Sequence, residues 1–324
     1  MYSIEELIDV VDKGILNVSI PHEPSRLYEP IRYTLALGGK RIRPVLVLAA
    51  CNVFSDSIDQ AIYPALAIEL FHNFTLIHDD IMDNASIRRN QPTVFAKWGQ
   101  DIAILSGDAL NILAYQLVAK TDKEHLVQVL TTFNKIAIGV CDGQQLDMDF
   151  EKAQFVTQDE YINMIELKTS VLLKGALEIG GIMGNAPQAD IMRLGEFGKN
   201  LGLAFQLQDD LLDTYGNVNT FGKKIGGDIV ENKKTFLTIQ AFSMAKGQSL
   251  KLLNSYFKAQ NIDPLVKVKE VRKIYDELDV KTKTEEKIKE YFDNALNALE
   301  KINVNPEKRE VLSSLANKIM GRKN

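Results

Sequence analysis

AIYPALAIELFHNFTLIHDDIMD, residues 61–83, is apolar on more than one face when wound as a helix. A helix with that pattern belongs inside a bundle, not on its surface. The same stretch ends in a contradiction. Asp79, Asp80 and Asp83 fall within one helical turn, and Asp79 and Asp83 share a face at i and i+4. Like charges at that spacing repel, and Asp is a poor helix-interior residue. Local rules broken in this way point to a functional site.

The feature is repeated. FQLQDDLLD, residues 205–213, sets Asp209, Asp210 and Asp213 in the same i, i+1, i+4 pattern behind a Phe. Carboxylates without clustered Cys or His suit a hard, oxygen-loving cation such as Mg²⁺. Mg²⁺ held by few carboxylates takes its other ligands from water and phosphate oxygens. The two turns suggest metal ions bridging the protein to a phosphorylated substrate.

The rest of the chain fits the bundle. Residues 101–120, 125–148, 158–183 and 190–215 read as further long helices. Residues 284–302 are predicted as another, with Thr284 as its cap and a stripe of Ile288, Phe292, Ala295, Leu296, Leu299 and Ile302. No run alternates as a strand would, and no low-complexity linker divides the chain. The expectation is a single all-α domain over 1–324, with its last eighty or so residues as an outer layer of shorter helices. Residues 216–234, GNVNTFGKKIGGDIVENKK, break the helical pattern and are predicted as a mobile loop able to close over a site.

Composition excludes several classes. The 324 residues are 45% hydrophobic and 25% charged, an ordinary globular balance, and the net charge of −5 argues against a nucleic-acid binder. Two cysteines, Cys51 and Cys141, imply no disulfide framework and fit a reducing compartment. The acidic, amphipathic start resembles neither a signal nor a transit peptide. No uninterrupted apolar run reaches the ~18–20 residues of a bilayer span. The expectation is a cytoplasmic protein without membrane insertion.

A phosphorylated substrate needs cations from the protein too. GGKRIRP, residues 38–44, sets Lys40, Arg41 and Arg43 between two glycines and an apolar helix that starts near Pro44. Glycines, helix-start amides and Arg forks together suit phosphate. Arg88 and Arg89 follow the first acidic turn, and neighbouring arginines imply a shared anion. Lys168-Thr169 and the Lys223 to Lys233 segment are weaker, and each alone would be read as surface.

With those motifs in place, the chain resembles the trans-polyprenyl diphosphate synthases, the head-to-tail isoprenoid chain elongases. GGKRIRP, DDIMD (79–83) with Arg88-Arg89, GDAL (107–110), GQQLD (143–147), Lys168-Thr169, FQLQDDLLD and GKKIGGD…KKT (222–235) occur in the family's order and at its approximate spacing. The resemblance implies an all-α isoprenoid-synthase bundle with a deep central cavity, and acidic turns facing each other across its mouth. It implies Asp79, Asp83 and Asp209 as ligands of two or three Mg²⁺ ions, with Asp80, Asp210 and Asp213 supporting. Lys40, Arg43, His72 and Arg89 match the pocket for isopentenyl diphosphate. Arg88, Lys168 and Lys233 match contacts to the allylic diphosphate, with Lys223 nearby. Thr169 and Gln206 match polar groups beside the reacting carbons. A homodimer is implied as well.

Three readings of single residues stay open. Glu69 and His72 form one E-x-x-H, as in di-iron bundles, but no second such pair exists. His78 is either a partner of the metal ligands or core. Met82 and Met148 read as packing. The family also implies a floor for the growing chain on the helix before Asp79. Phe74 lies five residues before it, about 7.5 Å along the axis, and Phe71 about 12 Å. Thr75 is smaller. One aromatic at the Phe74 position, with no insertion in DDIMD, favours a twenty-carbon product over a fifteen-carbon one, and a longer product follows if Phe74 is sidestepped. The competing readings are a class I terpene synthase, which would carry an Asn/Ser/Glu metal motif in place of the second turn, a non-catalytic subunit of a heteromeric synthase, and the di-iron bundle.

Overall fold

The computed structural model describes residues 1–216, 225–259 and 261–321. They are mostly helical. The chain forms two compact units, one of residues 1–135, 175–195 and 302–312, the other of 136–174, 196–301 and 313–324.

The first unit opens with α1 (Ile4–Leu16), started by a capping box in which Ser3 and Glu6 satisfy each other's backbone amides. It continues with α2 (Ser25–Ala36), α3 (Ile42–Phe54), α4 (Ile62–Met82), α5 (Val94–Trp98) and α6 (Gln100–Val118). Helix α3 is buried without a break from Pro44 to Val53, and α4 buries residues all round its axis from Pro64 to Phe71. Both are core helices, as their all-round apolar patterns require.

Helix α7 (Lys123–Lys152) leads from the first unit into the second. There α8 (Gln158–Ile165) begins at a second capping box, Thr157 with Glu160. A π-helical turn, Glu166–Ser170, separates it from α9 (Val171–Met183). Helix α10 spans Gln188–Tyr215; residues 175–195, most of α9 and the start of α10, belong to the first unit. The second unit is completed by α11 (Gly227–Val230), α12 (Phe236–Met244), α13 (Gly247–Lys258), α14 (Pro264–Glu277) and α15 (Val280–Glu300), and α16 (Pro306–Met320) ends the described chain. Asp263 caps α14, which carries Pro264 in its first turn.

Several expectations need correction. Thr284 does not start a helix: α15 begins at Val280, and the wholly buried Thr284 hydroxyl donates back to the Val280 carbonyl. The helical stripe starts a turn earlier because Val280 is itself buried. A short antiparallel hairpin, β1 (Ile87–Arg88) with β2 (Gln91–Pro92), lies where no strand was expected. The helix read over 158–183 is interrupted by the π turn. Helix α15 is one of the longer helices, and Tyr275 of α14 is wholly buried, so the C-terminal region is more than a polar outer layer. Of the expected mobile loop, 217–224 lie outside the described residues, and α11 is a helical turn fixed by several bonds. Helix α6 is long and apolar enough to cross a membrane by length and composition. Asp101 and Asp108 interrupt the run, which is why a count of uninterrupted apolar residues passes over it.

Candidate active site

In the first unit, α4 closes at the acidic turn. The Ala85 amide donates to the Asp80 carbonyl at 2.9 Å and the Asn84 amide to the Ile81 carbonyl at 3.2 Å, with Asn84 at φ 49°. This is a Schellman closure, with Asp83 as the cap residue. Asp83 is exposed and Asp79 half-buried, whereas Asp80 is only 4% exposed. The three like charges are therefore not stacked on one interior face. Asp80 turns inward, and burial raises its pKa against the opposing pull of Arg88.

The hairpin after α4 aims the two arginines. Arg89 and Asn90 at its tip have φ of 52° and 60°, the positive values of a type I′ turn. Arg88 Nε thereby returns to Asp80 Oδ1 at 2.7 Å. Arg89 reaches the other way and donates through Nη1 to the Gly38 carbonyl. The hairpin thus brings Arg89 to the GGKRIRP loop, where Lys40 is exposed and Gly38 supplies a turn at φ 70°.

Within that loop the basic residues divide. Arg41, grouped in the sequence with the phosphate-binding cations, is buried. Its Nη1 lies 2.7 Å from Glu69 Oε1, its Nε 2.9 Å from Asp12, and its Nη2 3.2 Å from the Leu35 carbonyl. It is a strut between helices. The same pair removes Glu69 from any di-iron role. Arg43 Nη1 lies 3.1 Å from His72 Nε2. Burial and the neighbouring arginines hold His72 well below the ordinary imidazole pKa, so the ring is neutral and accepts from Arg43.

Two of the residues expected to set chain length, Phe71 and Phe74, belong to an aromatic cluster. Phe71 packs on Phe74 and on Phe133, with ring centroids 5.5 and 5.4 Å apart. Phe74 meets the edge of His78 at 4.7 Å. The His78 ring fits against α6 only because residue 107 is glycine: a Cβ there would lie 2.4 Å from His78 Nε2. His78 lies 3.3 Å from the Ile104 carbonyl, so it braces Phe74. Thr75 donates to the His72 carbonyl at 2.8 Å and is committed to its own helix.

In the second unit, residues of α7, α8, the π turn, α10 and the 228–235 segment line a cavity of about 190 Å³. Among them are Lys168, Thr169, Gln206, Asp209, Asp210, Asp213 and Lys233. The π turn that carries Lys168 and Thr169 is pinned from two sides. A Cβ on Gly143 would lie 2.3 Å from the Lys168 amide nitrogen, and one on Gly202 would lie 2.6 Å from Ser170 Cα. Two glycines thus let α7 and α10 touch the turn backbone to backbone, in a conformation often found at functional positions. Lys168 Nζ is paired with Asp147.

The second acidic turn is organised by a chain of bonds. Thr169 donates to Gln206 Oε1 at 3.0 Å, and Gln206 Nε2 donates to Asp210 Oδ1 at 3.1 Å. The Tyr161 hydroxyl donates to Asp210 Oδ2. Asp210 is buried, and its pKa is pushed well above the usual carboxylate range by burial and the charge of Asp228. Tyr161, also raised by burial, stays a neutral donor. Asp213 accepts the Asp228 amide at 3.0 Å and so anchors the start of α11. Lys233 is exposed and lies 3.2 Å from Glu231 and 3.7 Å from Asp228. Lys223 lies outside the described residues.

Sequence reasoning missed Tyr161, Asp228 and Lys234 as cavity residues. Asp228 and Lys234 stood inside a recognised motif. Tyr161 carried no signal, because its partner is 49 residues away. Among the described residues no three His, Cys, Asp or Glu side chains converge to hold a metal by themselves. The donors at both turns are carboxylate oxygens, the chemistry Mg²⁺ prefers when phosphate completes its shell.

The polyprenyl synthetase family profile matches residues 24–278. The chain belongs to the polyprenyl synthetase family. It is 40% identical over 234 residues to a geranylgeranyl diphosphate synthase of Methanosarcina mazei, covering 72% of each chain. It is 39% identical over 259 residues to a short chain isoprenyl diphosphate synthase of Methanocaldococcus jannaschii, covering 80% of this chain and 76% of the relative. A crystal structure of a geranylgeranyl pyrophosphate synthase superposes with a TM-score of 0.95 at 38% identity, over 100% of both chains. This polyprenyl synthetase therefore has the all-α isoprenyl synthase fold and is a prenyltransferase.

Proposed function

We propose that this polyprenyl synthetase uses Mg²⁺ to condense isopentenyl diphosphate with allylic diphosphates, and that its product is geranylgeranyl diphosphate, with farnesyl diphosphate the next candidate. The observation that carries the reading is the second unit's cavity, which Lys168, Thr169, Gln206, Asp209 and Lys233 line together. Asp80, Asp210 and Asp213 are bonded to the scaffold through Arg88, through Tyr161 and Gln206, and through the Asp228 amide. The ligand role falls to Asp79, Asp83 and Asp209 by the family resemblance. On this reading the whole chain works as one domain.

Mg²⁺, when bound, stabilises negative charge on the departing diphosphate. Arg88, Lys168 and Lys233, with Lys223, supply cationic contacts to the allylic diphosphate. Lys40, Arg43 and Arg89 hold the isopentenyl diphosphate, and the neutral His72 orients the Arg43 fork. The allylic C–O bond breaks with its electron pair going to diphosphate. The isopentenyl double bond attacks the allylic carbon, forming the new C–C bond, and a proton is lost to the released diphosphate. Thr169 and the Gln206 amide, fixed by Asp210, present polar groups to the cationic carbon and keep it near the alkene. Phe74, braced by Phe71 and His78, supports a floor for the growing chain.

A homodimer fits α6, whose Leu105 and Ile112 are 56% and 60% exposed at a seven-residue spacing. Two free thiols, Cys51 and Cys141, fit a reducing, cytoplasmic setting. The test is elongation of dimethylallyl, geranyl and farnesyl diphosphate with isopentenyl diphosphate and Mg²⁺, with products sized after dephosphorylation. A twenty-carbon endpoint supports the full reading. A fifteen-carbon endpoint moves the floor closer to the metals. No elongation rejects it.

A further inference from the structure

Helix α11 ends in a Schellman closure. The Lys233 amide donates to the Asp228 carbonyl at 2.9 Å and the Asn232 amide to the Ile229 carbonyl at 3.3 Å, with Asn232 at φ 60°. That pattern does not serve the Val230 carbonyl, which needs a donor from elsewhere. Lys267, in the first turn of α14, provides it: Nζ lies 3.1 Å from the Val230 carbonyl and 2.6 Å from Asn232 Oδ1.

Lys267 is only 2% exposed. A lysine is almost never buried so fully unless its ammonium is satisfied. Here two oxygens and the face of Phe257, 5.3 Å away, share that work. The packing beside it is equally close. A Cβ on Gly226 would lie 2.6 Å from both Val268 methyl groups, so α11 sits directly on α14. From the opposite end, Asp213 takes the Gly226 amide on its carbonyl at 2.7 Å and the Asp228 amide on Oδ1 at 3.0 Å. The Asp228–Lys233 turn is thus held at its start by the second acidic turn and at its close by Lys267.

We propose that Lys267 is a positioning residue for the reaction: by clamping the close of α11 it fixes where Asp228 and Lys233 present their side chains, and so governs binding of the allylic diphosphate. The inference rests on the reading of Lys233 as a contact to that diphosphate. It gives a buried charge outside the cavity a task that packing alone does not explain, since a methionine would fill the same space.

The test uses the full-length protein and Lys267→Met. Hydrogen exchange should show amides 226–233 losing protection about tenfold or more, with the later turns of α14 unchanged. The KM for the allylic diphosphate should rise about tenfold, while the KM for isopentenyl diphosphate stays within about twofold. Combined with Lys233→Met, the losses should be clearly less than multiplicative, because much of the Lys267 effect runs through Lys233. Asn232→Gly keeps the left-handed turn while removing only the Oδ1 acceptor, and should show the same pattern more weakly even if Lys267→Met folds poorly. Unchanged exchange at 226–233, equal rises in both KM values, or multiplicative losses in the double variant would overturn the proposal. A wild-type protein that elongates nothing refutes the functional reading, while the exchange result still decides whether Lys267 holds the turn.

Discussion

Arg88 donates through Nε to Asp80 Oδ1 at 2.7 Å, and this bond ties the hairpin to the first acidic turn. Asp80 holds the hairpin, and the metal ligands proposed for this turn are Asp79 and Asp83. Asp79→Ala should cut turnover by about 10²-fold or more, the scale of a lost group that stabilises transition-state charge. It should leave stability nearly unchanged, because it also relieves repulsion from Asp83. Asp80→Ala should instead cost about 1–3 kcal/mol of stability by stranding Arg88. Steady-state kinetics and denaturant melts of both variants separate the cases. Loss of folding in Asp79→Ala without a specific loss of Mg²⁺-dependent activity would sink the ligand assignment.

Phe74 is the second test. Its ring is held between Phe71 and His78, 5.5 and 4.7 Å away, so it cannot swing aside cheaply. Phe74→Ala should lengthen the main product by at least one isoprene unit. Chromatography of the dephosphorylated products reads this directly, and an unchanged distribution places the floor elsewhere.

Gly143 tests the π turn. A methyl group at 2.3 Å from the Lys168 nitrogen must push α7 and the turn apart. Gly143→Ala should cost about 1–3 kcal/mol by overpacking. It should also lower activity in the fraction that remains folded, since Lys168 and Thr169 ride on the displaced backbone. Full specific activity in a destabilised variant would show that the turn's position is not used.

His72 gives a pH signature. Its folded pKa lies below the unfolded value of about 6.5. Above that pH both states are neutral. Below it the unfolded chain takes up a proton that the native chain refuses, so stability falls as pH falls, by up to about 1.4 kcal/mol per pH unit until the folded pKa is reached. His72→Gln should flatten this slope between pH 6.5 and 5 in urea melts. An identical slope in both proteins would mean that other groups carry it.

The sequence alone determined most of the long helices, the order of the basic and acidic motifs and the chemistry they suggest. These signals are local: a 3.6-residue period, an i, i+4 repulsion and a glycine before a basic helix start are visible within a few residues. The family resemblance then assigned roles to Asp79, Asp83 and Asp209. What only the tertiary structure decided is which like residue does which job. Arg41 reads as a phosphate ligand in GGKRIRP, yet it is buried against Glu69, 28 residues on. Tyr161 is invisible until folding brings it to Asp210. Thr284 looks like a cap until Val280, buried one turn earlier, takes the helix back. The physical reason is the same each time. A polar group's role is set by the partner that satisfies it when buried, and that partner is chosen by packing between distant elements, which no local period records.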